Sequence, residues 1–380
     1  MAIFTNGQYL TFDDVLLLPG YSNFDRENIS LKTKLTKNIN LDLPLVSAPM
    51  DTVTESKLAI VLAKLGGIGI IHRNLTFSDQ SDEVRKVKAK KLLVGAAVGA
   101  NNGFEKRVTA LVAAGVDTIA VDSAHGNAIN VIKTIKYIKK NYPKVDVIAG
   151  NIATAEGAIN LIKAGSDGLR VGMGPGAICT TRIISGMGVP QLTAIAQISE
   201  IAHKEKVPVI ADGGIKYSGD MVKALGAGAS TVMMGSFFAS SEESPGKVVE
   251  LEAAHVPSRF KSILKNGASS YRFKEYRGMG SVAAMQKGAA IKSEDEYHGK
   301  SYKDRVLVAE GVEGLTLIKG TVQNIVDQAV GGIKSGMYYI GARTISNLWK
   351  KAQFIKITHA SLSESHPHDV LITNPGENYR

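Results

Sequence analysis

The sequence predicts an α/β fold, a (β/α)8 barrel forming a single domain with a long catalytic loop after strand six and an insertion after strand eight. Three observations carry this. Eight short, continuously apolar runs end in glycine or a polar residue: 43–49, 67–72, 92–99, 118–122, 146–151, 168–174, 208–214 and 231–236. Runs of this kind without strict alternation suit strands buried on both faces, as in a parallel sheet. Helical patterns lie between them, and strand starts are mostly 22 to 28 residues apart, about one strand-helix unit. A length of 380 residues also admits two domains, but eight consecutive units favour one barrel over an open sheet.

Taken in order, Leu58, Val61, Leu62 and Leu65 share a face and stop at Gly66; Phe104, Val108, Leu111 and Val112 stop at Gly115. Ile159, Ile162 and Lys163 lead to Gly165, and Met221, Val222 and Leu225 lead to Gly226 and Gly228. Glycine after a periodic stretch is a helix stop. Ala114-Gly115-Val116-Asp117 and Ala164-Gly165-Ser166-Asp167 repeat this punctuation. Two gaps are long: 40 residues between the starts of runs six and seven, and roughly 80 residues from run eight to the helical stretch 322–332. Barrel active sites sit on the loops at the C-terminal strand ends, so these are the expected places for chemistry.

Composition narrows the class. With 44% hydrophobic residues the chain has enough apolar surface for a packed core. No run of about 18 apolar residues is present, so no spanning helix is expected, and Met1–Asn6 lacks the features of a secretion signal. The lone Cys179 cannot form an intrachain disulfide, and a cytoplasmic location is expected. The net charge of +10 comes from scattered lysines. No basic block interleaves with aromatics, so solvated helix faces or an anionic small ligand are expected rather than specific nucleic acid.

Run six feeds Gly172-Met173-Gly174-Pro175-Gly176-Ala177-Ile178-Cys179-Thr180-Thr181. Alternating glycines let backbone approach a ligand or offer carbonyls to an ion. Cys179 reads either as a small buried hydrophobe or as a nucleophile; among glycines and hydroxyls the nucleophile is the expectation. The spacing is G-x-G-x-G, and Cys179-Thr180-Thr181-Arg182 opens no convincing amphipathic helix, against a dinucleotide fingerprint. Run seven ends Asp212-Gly213-Gly214 and run eight Met234-Gly235-Ser236. Glycines there either turn the chain or present N–H groups to a phosphate, and Asp212 could hold a ribose diol. Asp122-Ser123-Ala124-His125 and Gly150-Asn151 put polar groups at the same rim; His125 is not assigned catalysis. His366-Pro367-His368 is weak as a transition-metal motif.

Together these residues resemble the IMP dehydrogenase / GMP reductase family, on its inosine-5′-monophosphate dehydrogenase side, over nearly the whole chain. Leu10-Thr11-Phe12-Asp13-Asp14-Val15-Leu16-Leu17-Leu18-Pro19 is similar to its N-terminal signature. Ser47-Ala48-Pro49-Met50-Asp51-Thr52-Val53-Thr54-Glu55 resembles the first strand end. The cysteine loop matches except for Ala177 where serine is usual, and Tyr276-Arg277-Gly278-Met279-Gly280-Ser281 and Glu364-Ser365-His366-Pro367-His368-Asp369-Val370 complete the set.

The resemblance implies NAD-dependent oxidation of IMP to XMP in guanine nucleotide biosynthesis, a homotetramer, and a monovalent cation, usually K+. It implies that Cys179 attacks C2 of the base, hydride passes to NAD, and water releases the product. IMP would be held by Ala48, Met50, Ala177, Ile178, Asp212, Gly213, Gly214, Gly235, Ser236, Tyr276, Gly278, Met279, Gly280 and Glu310. The NAD side would be Asp122, Ser123, Asn151, Arg170, Gly172 and Thr181. Cation ligands would be carbonyls of Gly174, Gly176 and Cys179, with Glu364, Ser365 and His366 from a neighbouring subunit.

The chain departs from the family pattern twice. A regulatory pair of cystathionine-synthase-like (CBS) repeats is usual between the second helix and third strand. Here Asp82–Lys88 runs almost directly into Leu92, leaving no room at about residues 87–91. The segment 240–320 is expected to hold the substrate loop and a mobile flap. The usual Arg-Tyr pair that activates water is missing there: Arg305 is the lone arginine between Gly288 and Glu310, with tyrosines at Tyr297 and Tyr302. The family's second route uses a threonine and an acidic or amide residue, and the resemblance implies Thr181 and Glu310 for the water's proton, with Arg305 a lesser candidate. Two other readings stay open, a guanosine monophosphate reductase and a barrel that binds nucleotide without turnover.

Overall fold

In a computed structural model of the chain, the described residues are 5, 7–257, 268–291, 308–374 and 376–378. The eight apolar runs form eight parallel strands: Leu45–Ser47, Ile68–Ile71, Gly95–Val98, Thr118–Asp122, Asp146–Ile152, Gly168–Val171, Val209–Asp212 and Thr231–Met234. They pair in chain order, and the eighth pairs back on the first, closing a barrel.

The runs are apolar throughout because both strand faces are covered. Val46, Ile70, Ala97, Ile148, Ile210 and Met233 fill the barrel interior. Leu45, Ile71, Val98, Val121, Leu169 and Val232 face the surrounding helices. Each fully buried Val, Leu, Ile or Met side chain among these contributes about 1.5–3 kcal/mol. A hairpin of Thr33–Lys34 and Asn40–Leu41 plugs the N-terminal end with the buried Leu35 and Leu41. The Lys37 N–H donates to the Asp167 carbonyl at 2.9 Å, fixing the plug to the barrel floor.

The helices sit where the periodicity places them, with three differences. Helix Ala155–Ala164 ends at Gly165 in the left-handed region, but its buried face is Ala158, Leu161 and Ala164, and Ile159 is turned to solvent. Helix Phe104–Ala113 buries Arg107, which donates to Gln80 at 2.6 Å and lies 4.5 Å from the Phe77 ring centroid. The stretch expected to end near 332 continues as helix Val322–Ile340. There Gly332 and Gly336 are not stops; a Cβ at either would collide with Ser218 or Val222 of helix Ser218–Gly226. They are contact points for close helix packing.

The insertion after the eighth strand forms an antiparallel sheet, Val248–Glu252, Ser270–Arg277 and Glu313–Leu317, with helix Val282–Ala290 between the last two. Much of the segment expected to be a flap, including Tyr297, Tyr302 and Arg305, lies outside the described residues. Between helix Phe77–Lys88 and strand Gly95–Val98 the chain passes directly through residues 89–94. Among the described residues, no helix is long and apolar enough to cross a membrane.

Candidate functional site

The loop after the sixth strand brings Cys179 to the barrel's C-terminal rim, and the segment 310–312 holds it there. Cys179 forms an isolated antiparallel bridge with Gly311. Thr180 N–H donates to the Glu310 carbonyl at 3.0 Å, and Val312 N–H to the Ile178 carbonyl at 2.9 Å. A third strand of chain joins them: Gly278 N–H reaches the Val312 carbonyl (3.0 Å), and Glu310 N–H reaches the Gly280 carbonyl (3.1 Å). The backbones approach closely, with Gly278 and Gly311 face to face. After the cysteine comes a single helical turn, Thr181–Ile184, where the sequence pattern indicated no amphipathic helix.

That turn aligns three side chains. Cys179 Sγ lies 3.2 Å from Thr181 Oγ1, and the Thr181 hydroxyl donates to Glu310 Oε2 at 2.9 Å. Thiol, hydroxyl and carboxylate thus form a continuous donor-acceptor chain, the arrangement that carries a proton away from chemistry at sulfur. The half-buried Cys179 is also within reach of a ligand on the rim.

A second cluster lies on strands four to seven. Arg170 spans two carboxylates: its Nη1 is 2.5 Å from Asp122 Oδ1 and its Nε 2.8 Å from Asp212 Oδ2. Arg73 approaches Asp122 Oδ2 at 3.4 Å. Asn151 Nδ2 donates both to Asp212 Oδ2 and to the Gly172 carbonyl, each at 2.8 Å. Burial would raise the Asp122 carboxyl, but Arg170 and Arg73 outweigh it and hold it below its ordinary 3.8. Arg170, opposed by burial but drawn by Asp212 and Asp122, is held more firmly protonated. Among the described residues, both side-chain hydrogen bonds to the Asp212 carboxylate fall on Oδ2. The Asp212→Asn variant is expected to weaken nucleotide binding about 10- to 100-fold, the scale of one or two charge-assisted hydrogen bonds; calorimetric titration checks it.

The third group is the rim of strands seven, eight and one. Gly213 and Gly214 have φ of +93° and +77°, a left-handed pair that a side chain would strain. Among the described residues, their N–H groups, like that of Gly235, donate to no backbone carbonyl. Tyr276, 7% exposed, rests its hydroxyl against Gly235 beside Met50 Sδ and takes a hydrogen bond from the Ser236 backbone. Burial foremost, then Asp212, raises its pKa and keeps the phenol protonated. Gly172 has its own constraint: a Cβ there would collide with the Asp212 carbonyl.

Several supporting residues escaped the sequence reading. Gln191, fully buried, donates to the Val171 and Asp212 carbonyls, both at 3.0 Å, tying the ends of strands six and seven. Arg182 donates to Met173 O and Val189 O and gathers the two ends of the cysteine loop. Asp51 pairs with Arg277, and Asn74 joins them. No local pattern marks these roles; Asp51 and Arg277 lie within quoted motifs, but nothing in one motif points to the other. Ala48 belongs to the barrel interior, its N–H bonded to the Met234 carbonyl at 3.1 Å. Ser123 caps the turn before His125. Within this chain His366 packs 6.2 Å from Tyr217. Among the described residues, no hydrogen bond joins Glu364, Ser365 or His366 to Gly174, Gly176 or Cys179.

A closed barrel carrying a cysteine, a hydroxyl relay, a carboxylate and an anion-ready glycine rim defines a nucleophile-bearing barrel enzyme. The family described as "IMP dehydrogenase / GMP reductase domain" matches residues 9–368. The chain is 44% identical to an inosine-5′-monophosphate dehydrogenase of Cryptosporidium parvum over 416 positions, covering 98% of both chains. It is 43% identical to one from Borreliella burgdorferi over 412 positions, covering 95% of this chain and 97% of that one. Against the protein of the same name from Haemophilus influenzae it is 37% identical over 507 positions, with both chains fully covered. That alignment is far longer than this chain of 380 residues, so the Haemophilus protein has many positions without a counterpart here. The chain belongs to the IMP dehydrogenase / GMP reductase family.

Proposed function

We infer that this protein is an NAD-dependent oxidoreductase that converts IMP to xanthosine monophosphate, a step toward guanine nucleotides. The observation that carries this reading is the chain Cys179–Thr181–Glu310 on the barrel rim. The Cys179 thiolate adds to C2 of the hypoxanthine ring, and the hydride on C2 leaves to the nicotinamide of NAD. A thioimidate remains, bound through the carbon-sulfur bond. Water then adds to C2 as its proton passes through the Thr181 hydroxyl to Glu310, and the C2–S bond breaks to regenerate Cys179. The balance is IMP, NAD and water to xanthosine monophosphate, NADH and a proton.

The other groups bind and orient. Asp212 Oδ1 would accept from the ribose diol, and the N–H groups of Gly213, Gly214 and Gly235 suit the phosphate. Met50, Met279 and Gly280 would lie along the base, and Ala177 and Ile178 would also contact the nucleotide. Asp122, Ser123, Asn151, Arg170 and Gly172 form the nicotinamide side. A monovalent cation fits the cysteine loop: among the described residues, carbonyls of Gly174 and Cys179 accept no backbone hydrogen bond, while that of Gly176 accepts one from Cys179 N–H at 3.0 Å. Such an ion would be held by carbonyl dipoles of this loop. Glu364, Ser365 and His366 of a second subunit would complete its ligands in a homotetramer. The lone free thiol accords with a cytoplasmic setting. The segment after Gly280 would serve as the flap, and no regulatory nucleotide module follows the second helix.

The test follows reduced nicotinamide on mixing the protein with IMP and NAD, with and without potassium. Sustained formation with xanthosine monophosphate accumulating is the expected result, faster with potassium. No reduced nicotinamide with IMP, but NADPH consumed and ammonia released with GMP, would overturn it in favour of the reductase side of the family.

A further inference from the structure

The Gly278–Ser281 turn sits outside the barrel, contains two glycines, and bonds through its backbone to Glu310 and Val312, which flank the Gly311 that bridges Cys179. Apolar packing alone does not fix such a turn. What fixes it is a carboxylate on the loop after the first barrel strand. Asp51, whose side chain is fully buried, receives Arg277 on both oxygens: Nε donates to Oδ1 at 3.1 Å and Nη2 to Oδ2. Arg277 immediately precedes the turn. On its far side, helix Val282–Ala290 presents Lys287 Nζ 3.8 Å from Asp51 Oδ2. Asn74, after the second strand, donates to Asp51 Oδ2 at 2.9 Å and to the Ala284 carbonyl at 3.1 Å. The Asp51 N–H itself faces Met279 Sδ at 3.4 Å, and Arg277 N–H reaches Thr52 Oγ1 at 3.3 Å.

Both ends of the turn and its central methionine therefore converge on one buried residue, next in sequence to Met50. We propose that Asp51 is a positioning residue that sets the Gly278–Ser281 turn, and through it Glu310, against the base of the nucleotide. This rests on the function inferred above. Asp51 takes no part in bond making. Its two-pronged pair with Arg277 supplies direction, which a point charge would not. Burial would raise its pKa, but Arg277, Asn74 and His72 together hold it below 3.8, so the pair stays charged wherever the enzyme works.

The test compares Asp51→Asn, Arg277→Lys and the double variant. Expected is a 10- to 100-fold rise in KM and in the calorimetric Kd for IMP, with KM for NAD changed less than about twofold. The NAD side is held by Arg170 and Asp122 on other strands. The double variant is expected to be no worse than the weaker single, because the two residues act as one unit. Arg277→Lys keeps a cation on Asp51 and serves if Asp51→Asn does not fold. Unchanged IMP affinity in a folded variant would overturn the proposal, as would equal losses for IMP and NAD. A wild-type protein that does not bind IMP would instead overturn the functional reading, which separates the two failures.

Discussion

Replacing Cys179 with alanine is expected to abolish formation of reduced nicotinamide from IMP and NAD, by about 10^5-fold or more, the scale seen when a covalent nucleophile is removed. The argument is geometric. Hydride leaves a ring carbon readily once sulfur has added to it, and no other cysteine exists in the chain. The thiol is half buried and bridged to Gly311 through backbone, so alanine leaves the loop's hydrogen bonds in place. Nucleotide binding is therefore expected to persist within a fewfold, because Asp212, Tyr276 and the glycine rim are untouched. Stopped-flow absorbance for the burst and calorimetry for IMP measure the two halves separately. Residual turnover within tenfold of wild type would remove Cys179 from the chemistry.

The second large effect is expected at Glu310. Glutamine keeps a side-chain oxygen beside the Thr181 hydroxyl, now 2.9 Å from Glu310 Oε2, but cannot carry the water's proton. Hydride transfer should survive and hydrolysis should slow by about 10^2- to 10^4-fold, the usual contribution of a positioned base. The signature is a burst of about one equivalent of reduced nicotinamide per site, then a stall, as when a covalent intermediate forms fast and breaks down slowly. An unchanged hydrolysis rate at every pH would move the role elsewhere, with Arg305 the next residue to replace.

How much of this could be read before folding depends on the range of each interaction. The barrel was legible because both faces of every strand are buried, so Ile68–Ile71 or Val209–Asp212 reads as unbroken apolar sequence. The cysteine loop was legible because its glycines and hydroxyls are adjacent in sequence. Helix register was less so: Ile159 counted as a core residue, yet Ala158 and Leu161 are the ones the barrel covers. The helical stretch was expected only to Gly332, whereas the helix runs on and the neighbouring helix needs Gly332 and Gly336 small. Asp51 and Arg277 are 226 positions apart, and Gln191 works through two backbone carbonyls. Their roles exist only in three dimensions. For Thr181 and Glu310, 129 positions apart, the family resemblance supplied the pairing, and the 2.9 Å contact bears on it directly.

The most direct measurement is acid quenching of the wild-type protein within the first turnover of IMP and NAD, followed by mass spectrometry of the peptide containing Cys179. The account predicts a nucleotide covalently attached at Cys179 that appears together with reduced nicotinamide and decays as xanthosine monophosphate is released. Reduced nicotinamide forming at full rate with no adduct on that peptide would contradict it.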